Sequence, residues 1–198
     1  MIGIRDSESG TREDTPHAER CDAVGILCDV QGGVLVLCLG NDILRDDGIG
    51  WAIADALEQS SSESRVPSPE SRPFVVKRSA LSGFYLLDEL AGWERAIVVD
   101  AVQTGLHPPG TILSFPFEAL GTEAGPSPHA VGLPTVVRLG RQSGVPLPAW
   151  IHIVAIEVDD MGTFTEGLTP AVRAAVPEAV GVITSVLAQL PAAACASA

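Results

Sequence analysis

The chain has 198 residues, 46% of them hydrophobic, with 25 acidic residues against 12 Lys and Arg and a formal net charge of −13. That balance excludes a nucleic-acid binder, because no basic patch is present to neutralise phosphates; otherwise it bears mainly on solubility. The length suits one domain with one sizeable core, and no apolar stretch is read as approaching the roughly 20 residues that span a bilayer.

Residues 1–22 are polar and charged without periodicity, so a mobile tail is expected, followed by a single domain over 23–190. The opening MIGIRDSESGTREDT has no apolar signal core, which points to the cytoplasm. Removing residues 1–22 is expected to leave the fold intact, since they offer too little apolar surface to offset their ordering entropy. A truncated protein that no longer melts cooperatively would contradict this. Cys21, Cys28, Cys38 and Cys195 form no C-x-x-C pair, so neither a zinc ribbon nor a thioredoxin-like motif is present, and reduced thiols are expected.

Residues 23–33 read as an extra strand and turn. Val34 to Leu39 is a short apolar run bounded by glycines, the pattern of a buried strand. It feeds into LGNDILRDDGIG, Leu39 to Gly50, and then into a helix over about 47–59 with acidic residues in its first turn, where they suit the positive end of the helix dipole. Ser60 to Pro73 is Ser- and Pro-rich and reads as a surface loop. Phe74–Lys77 is a second strand, and Phe84–Leu90 a second helix. Ala96–Asp100 is a third strand that closes on a carboxylate. LHPPG, 106–110, is a turn, and Thr111–Phe117 is an edge strand because Pro116 lies in it. A loop over 118–128 leads to a helix over 129–144, with Ser127 or Pro128 near its start. Ile151–Ile156 is the next strand, Pro170–Leu190 a helix opened by proline, and the remaining PAAACASA a fraying end. Alternating strands and helices predict an α/β fold, a three-layer α/β/α sandwich around a mostly parallel twisted sheet with one antiparallel edge strand.

This layout puts three side chains at one sheet edge. Asp47 follows the first strand, Asp100 ends the third, and His129 opens the helix after the long loop. Open parallel sheets bind ligands in the crevice beyond their strand ends. Two carboxylates and an imidazole form a ligand set for a divalent transition metal with positions left open. Each has a plainer reading alone: the aspartates as helix caps, the histidine as a surface residue. A phosphate-binding loop is a poor fit, since no Walker lysine is present and two carboxylates would repel an anion. Asp46 reads as a cap of the first helix or as an orienting partner of Asp47. His107 reads as a solvated turn residue, His152 as structural, Cys38 as a small core residue, and Trp51, Trp93 and Trp150 as packing residues. The chain has no H-E-x-x-H motif, no G-x-S-x-G elbow and no cysteine flanked by a catalytic base, so the metal-binding triad is the one candidate engine for hydrolysis.

Taken in order, GNDILRDDGIG, AIVVDAVQTGLHPPGT and SPHAVGL resemble the hydrogenase maturation endopeptidases. Those proteases remove a C-terminal extension from the large subunit of nickel-iron hydrogenases after nickel insertion. The family's G-N-x-L-x-x-D-[DE]-G-x-G pattern falls on Gly40 to Gly50, its metal-binding acidic positions on Asp47 and Asp100, and its histidine on His129. The resemblance covers roughly residues 34–185. It implies a hydrogenase large-subunit precursor as partner and nickel, delivered within that precursor, as the metal, with other divalent metals able to substitute. It also implies Asp47, Asp100 and His129 as the catalytic and metal-binding residues, with two roles open for the metal: a Lewis acid on the scissile carbonyl or its attacking water, or a centre in the substrate that the three residues recognise. A monomer with no membrane and no nucleic-acid partner is expected. Ile43 stands where the family has leucine, and Asp47 where some members have glutamate. Lys77 to Gly83 stands where the family often has an Asp-Gly-Gly-Thr loop. That last departure keeps open an alternative function, a checkpoint that binds the nickel-loaded subunit without cutting it. A flavodoxin-like cofactor binder is a third reading, against which the acidic loop speaks.

Overall fold

In the computed structural model, residues 31–63, 74–120 and 132–190 are described. The expected tail, most of 23–33, residues 64–73, 121–131 (with His129 among them) and the last eight residues lie outside these. The elements are β1 (Gln31–Leu39), a 3₁₀ turn (Arg45–Gly48), α1 (Ile49–Glu63), β2 (Phe74–Ser79), a 3₁₀ turn (Gly83–Tyr85) and α2 (Leu86–Leu90). They continue as β3 (Trp93–Val102), β4 (Ile112–Pro116), a 3₁₀ turn (Phe117–Ala119), α3 (Leu133–Gln142), β5 (Trp150–Glu157) and α4 (Pro170–Gln189).

The strands form one sheet in the order β2-β1-β3-β5-β4. β2, β1, β3 and β5 run parallel, and β4 pairs antiparallel with β5 at the edge. The mixed sheet with its antiparallel edge strand is as expected. Alternation along β1 divides its side chains between two cores. Val34, Val36 and Cys38 join Ile53, Leu57 and Ile183 under α1 and α4. Leu35, Leu37 and Leu39 join Leu86, Leu133 and Val137 under α2 and α3. Both faces of the central strands are therefore apolar, which is why β1 and β3 read as continuous hydrophobic runs.

Several boundaries differ from the sequence reading. The first helix proper starts at Ile49, after a 3₁₀ turn, and runs on through residues 60–63, which the Ser-rich composition had assigned to loop. β3 extends to Val102, so Asp100 lies inside the strand rather than at its end. The extension is held by pairing of Ala101 and Val102 with Ile156 and Glu157. α3 starts at Leu133, after Gly132 in the left-handed conformation (φ 87). His129 therefore precedes that helix instead of opening it. Gln31 to Gly33 belong to β1 itself, not to a separate strand and turn. Contrary to the expectation that no stretch approaches a membrane span, α4 is 20 residues long and apolar enough by length and composition to cross a bilayer. Here Val172, Ala175, Ala179 and Ile183 pack into the core, while Arg173 and Glu178 are exposed, the division of an amphipathic core helix.

Cys38 is fully buried, and desolvation pushes its thiol from 9.0 up to about 12. Because the folded pKa is the higher one, the associated stability is complete below pH 9 and lost as pH rises toward 12. At the top of that window the loss reaches roughly 4 kcal/mol. Cys38→Val is expected to flatten the alkaline limb of a plot of Tm against pH. An unchanged limb would contradict the assignment.

Candidate functional site

β1 connects through α1 to β2 on one side, while the chain from β3 onward builds the opposite half of the sheet. The space beyond the ends of β1 and β3 is thus the topological switch point, where the two connections part and leave a crevice. Asp47 lies in the 3₁₀ turn after β1, and that turn packs against β3, which carries Asp100. Both carboxylates are buried, at 3% and 2% exposure. Alternation with Val98 and Val102 turns Asp100 to the α2/α3 face, where it lines an apolar cavity of about 80 Å³ with Leu113, Phe115 and Ile153.

The glycines of the motif are explained by close approach. A Cβ on Gly40, which has φ 139, would sit 2.0 Å from the Asp47 carbonyl oxygen; one on Gly50 would sit 2.1 Å from the Leu39 carbonyl oxygen. The turn thus folds back on the strand end with no room for side chains at those two points, and this closeness fixes where Asp47 lies.

Asp46 has a different role from its neighbour and from the one read in the sequence. It is fully buried. Its carboxylate accepts from the Thr169 N–H (2.7 Å), the Thr169 hydroxyl (3.0 Å) and the Asp160 N–H (3.3 Å). Its own N–H donates to the Asp160 carbonyl (2.9 Å). Asp46 therefore ties the β1–α1 turn to the start of α4 rather than capping α1. Asp46→Ala leaves these donors buried without the ionised acceptor, a loss of about 3 kcal/mol. Thermal unfolding should show a fall in Tm of about 6–12 °C; an unchanged Tm would rule the tether out.

A further buried carboxylate, Glu157 at the end of β5, was not singled out in the sequence. It accepts from the N–H groups of Thr104 and Gly105 (both 2.7 Å) and from the Thr104 hydroxyl (2.5 Å), fixing the loop that leaves β3 beside Asp100. Its one sequence signal is an acidic residue closing an apolar strand, the feature that drew attention to Asp100. The segment in place of the family's Asp-Gly-Gly-Thr loop is anchored on both sides. Lys77 pairs with Glu89 on α2 (2.5 Å), Arg78 with Asp55 and Glu58 on α1, and the Ser79 carbonyl accepts from Gly40 N–H (3.1 Å). The two acidic partners hold the Arg78 charge by raising its pKa.

His107 is exposed, as expected of a turn histidine. His152 stacks on Trp150 (5.6 Å between rings), bonds Ser114 Oγ (2.9 Å) and has its pKa lowered by burial, the environment of a structural histidine. Among the described residues no group of three or more His, Cys, Asp or Glu side chains could hold a metal. Of the three expected donors, Asp47 and Asp100 are buried near the ends of β1 and β3, and His129 lies outside the described residues.

A family model described as hydrogenase maturation protease matches residues 80–186. The chain is 31% identical over 157 residues to the hydrogenase 2 maturation protease of Escherichia coli K12, covering 78% of this chain and 90% of that one. Among solved structures it matches the E. coli hydrogenase maturating endopeptidase HybD with a TM-score of 0.63 and 28% identity over 79% of this chain and 93% of that chain. An E. coli endopeptidase solved in solution matches with a TM-score of 0.64 and 30% identity over 78% and 91%.

Proposed function

Since the chain belongs to the hydrogenase maturation protease family, we propose that it removes the C-terminal extension of a nickel-iron hydrogenase large-subunit precursor once nickel has been inserted. The observation that carries this reading is the pair of buried carboxylates, Asp47 and Asp100, at the switch point between β1 and β3. Carboxylates beyond the strand ends of an open parallel sheet stand where ligands bind, and a metal centre presented by the substrate is a ligand of matching charge. Nickel accepts carboxylate, imidazole and thiolate ligands. Asp47, Asp100 and His129 would furnish the first two kinds, and the precursor's own active-site thiolates would hold the metal beforehand. In that arrangement the enzyme's residues read a filled centre and position the adjoining peptide bond for attack by water.

The surroundings favour a protein substrate. Ile43, Leu81, Phe84, Tyr85, Leu106 and Phe164 are all exposed, Leu106 and Phe164 at 80% and 81%. They belong to the segments that follow β1, β2, β3 and β5, and so rim the same sheet edge. Exposed apolar side chains gathered at one edge of a sheet mark an interaction surface, and this edge is the one at which β1 and β3 end. The test is incubation with a purified precursor, followed by intact mass measurement. Loss of the C-terminal extension is expected. Capture of the precursor at full length would replace the protease reading with the non-cleaving checkpoint, and absence of both would overturn the precursor as partner.

A further inference from the structure

Outside the carboxylate crevice, a second cleft of about 190 Å³ opens between the β1–α1 turn, the first turns of α1 and the β5–α4 loop. Arg45 and Trp51 line it, together with Asp42, Asp55, Arg78 and Leu168. Two of its donors are unsatisfied: Nε of Arg45 and Nε1 of Trp51 are both buried without a hydrogen-bond acceptor. Buried donors are almost always paired in native proteins, and an unpaired one costs its desolvation.

We propose that this cleft is a carboxylate-binding site and that, on the proposed function above, the precursor supplies the carboxylate. Arg45 offers charge and an N–H, and Trp51 a neutral N–H. Two donors on one cleft, one of them cationic, suit an ionised two-oxygen acceptor better than a single carbonyl. Of the charges around it, Arg78 is already committed to Asp55 and Glu58, Asp42 is exposed, and Asp160, whose Oδ1 accepts from the Gly162 and Thr163 N–H groups, interacts with Arg45 from the loop after β5, so Arg45 is the cation left to meet a ligand. Both nitrogens are buried, so on this proposal the Arg45 side chain has to turn outward to meet the ligand oxygen. Because the cleft borders Gly48, next to Asp47, a peptide held here passes close to the proposed cutting site.

The test uses the full-length ¹⁵N-labelled chain, whose three tryptophans give three indole N–H signals, with Trp51 assigned by its loss in Trp51→Phe. Titration with N-acetylglycine is expected to shift the Trp51 signal saturably and leave those of Trp93 and Trp150 in place. N-acetylglycinamide, which lacks the carboxylate, should leave all three unmoved, and Arg45→Met should abolish the response. A Trp51 signal that stays put, responds equally to the amide, or responds equally in Arg45→Met would overturn the site. The source is read separately, from cleavage of the precursor: Arg45→Met should raise KM several-fold. An unchanged KM alongside an intact titration in the parent would overturn the precursor as the source. The titration needs no hydrolysis, so a chain that failed to cleave would still report on the cleft.

Discussion

Asp100→Asn and Asp47→Asn are each expected to slow precursor processing by about 10²–10⁴-fold, the range for loss of a group acting on the reacting centre, while shifting Tm by less than about 4 °C. Asparagine keeps the volume of aspartate and removes its charge. Both side chains are buried at the sheet's switch point, and asparagine keeps a carbonyl acceptor of the same size there. Function should therefore be lost without a matching loss of stability. Asp46→Ala should give the reverse emphasis, a clear fall in Tm, because its oxygens are committed to Thr169 and Asp160. Cleavage rates and melting curves on these variants separate adjacent aspartates with different tasks. Activity retained in both asparagine variants would remove the carboxylates from the mechanism.

Gly50→Ala is expected to be the most damaging single methyl group that can be added to the described part of the chain's signature motif outside the left-handed positions. The new Cβ would lie 2.1 Å from the Leu39 carbonyl oxygen and 3.1 Å from its carbon. Those are backbone atoms at the end of β1, so relief requires α1 to move away from the strand it packs on. A loss above about 4 kcal/mol, seen as insoluble protein or a collapsed Tm, is the expected result. Gly181→Ala is the matched control. That glycine occupies an exposed position on α4, and a Cβ added there would meet nothing within 4 Å. Alanine at that position should stabilise by about 0.5–1 kcal/mol. Equal melting of Gly50→Ala and the parent would show that the turn has freedom the structure denies it.

The sheet was readable from sequence because its signals are local. Val34–Leu39 and Ala96–Val99 are apolar without interruption, and only strands covered on both faces need that. Pro116 marked the edge strand because a missing N–H is tolerated there. Helix starts were harder. Pro128 and Pro134 both carry the proline signal for a first helical turn, and the structure uses Pro134, after left-handed Gly132. The position of Asp100 within β3 depends on pairing with β5, more than 50 residues further along the chain. The tether from Asp46 to Thr169 spans 123 residues, and no window of local sequence reports such a partner. Nor did composition show how α4 would be used: an Ala- and Val-rich 20-residue helix meets a bilayer's length, and only its packing against α1 and the sheet gives its apolar stripe a place in the core. Asp47 was legible as a strand-end carboxylate and Asp46 as a residue with a separate, supporting task, whereas the partner that Asp46 takes was not, because Thr169 lies in another part of the chain.

The most direct test of the central claim compares two preparations of the same precursor, one loaded with nickel and one metal-free, each incubated with the purified chain and no free nickel. The expected result is removal of the C-terminal extension from the loaded precursor alone, with that cleavage lost in Asp47→Asn and Asp100→Asn. Equal cleavage of the loaded and metal-free precursors would contradict the account, because the carboxylates would then not be reading the substrate's metal.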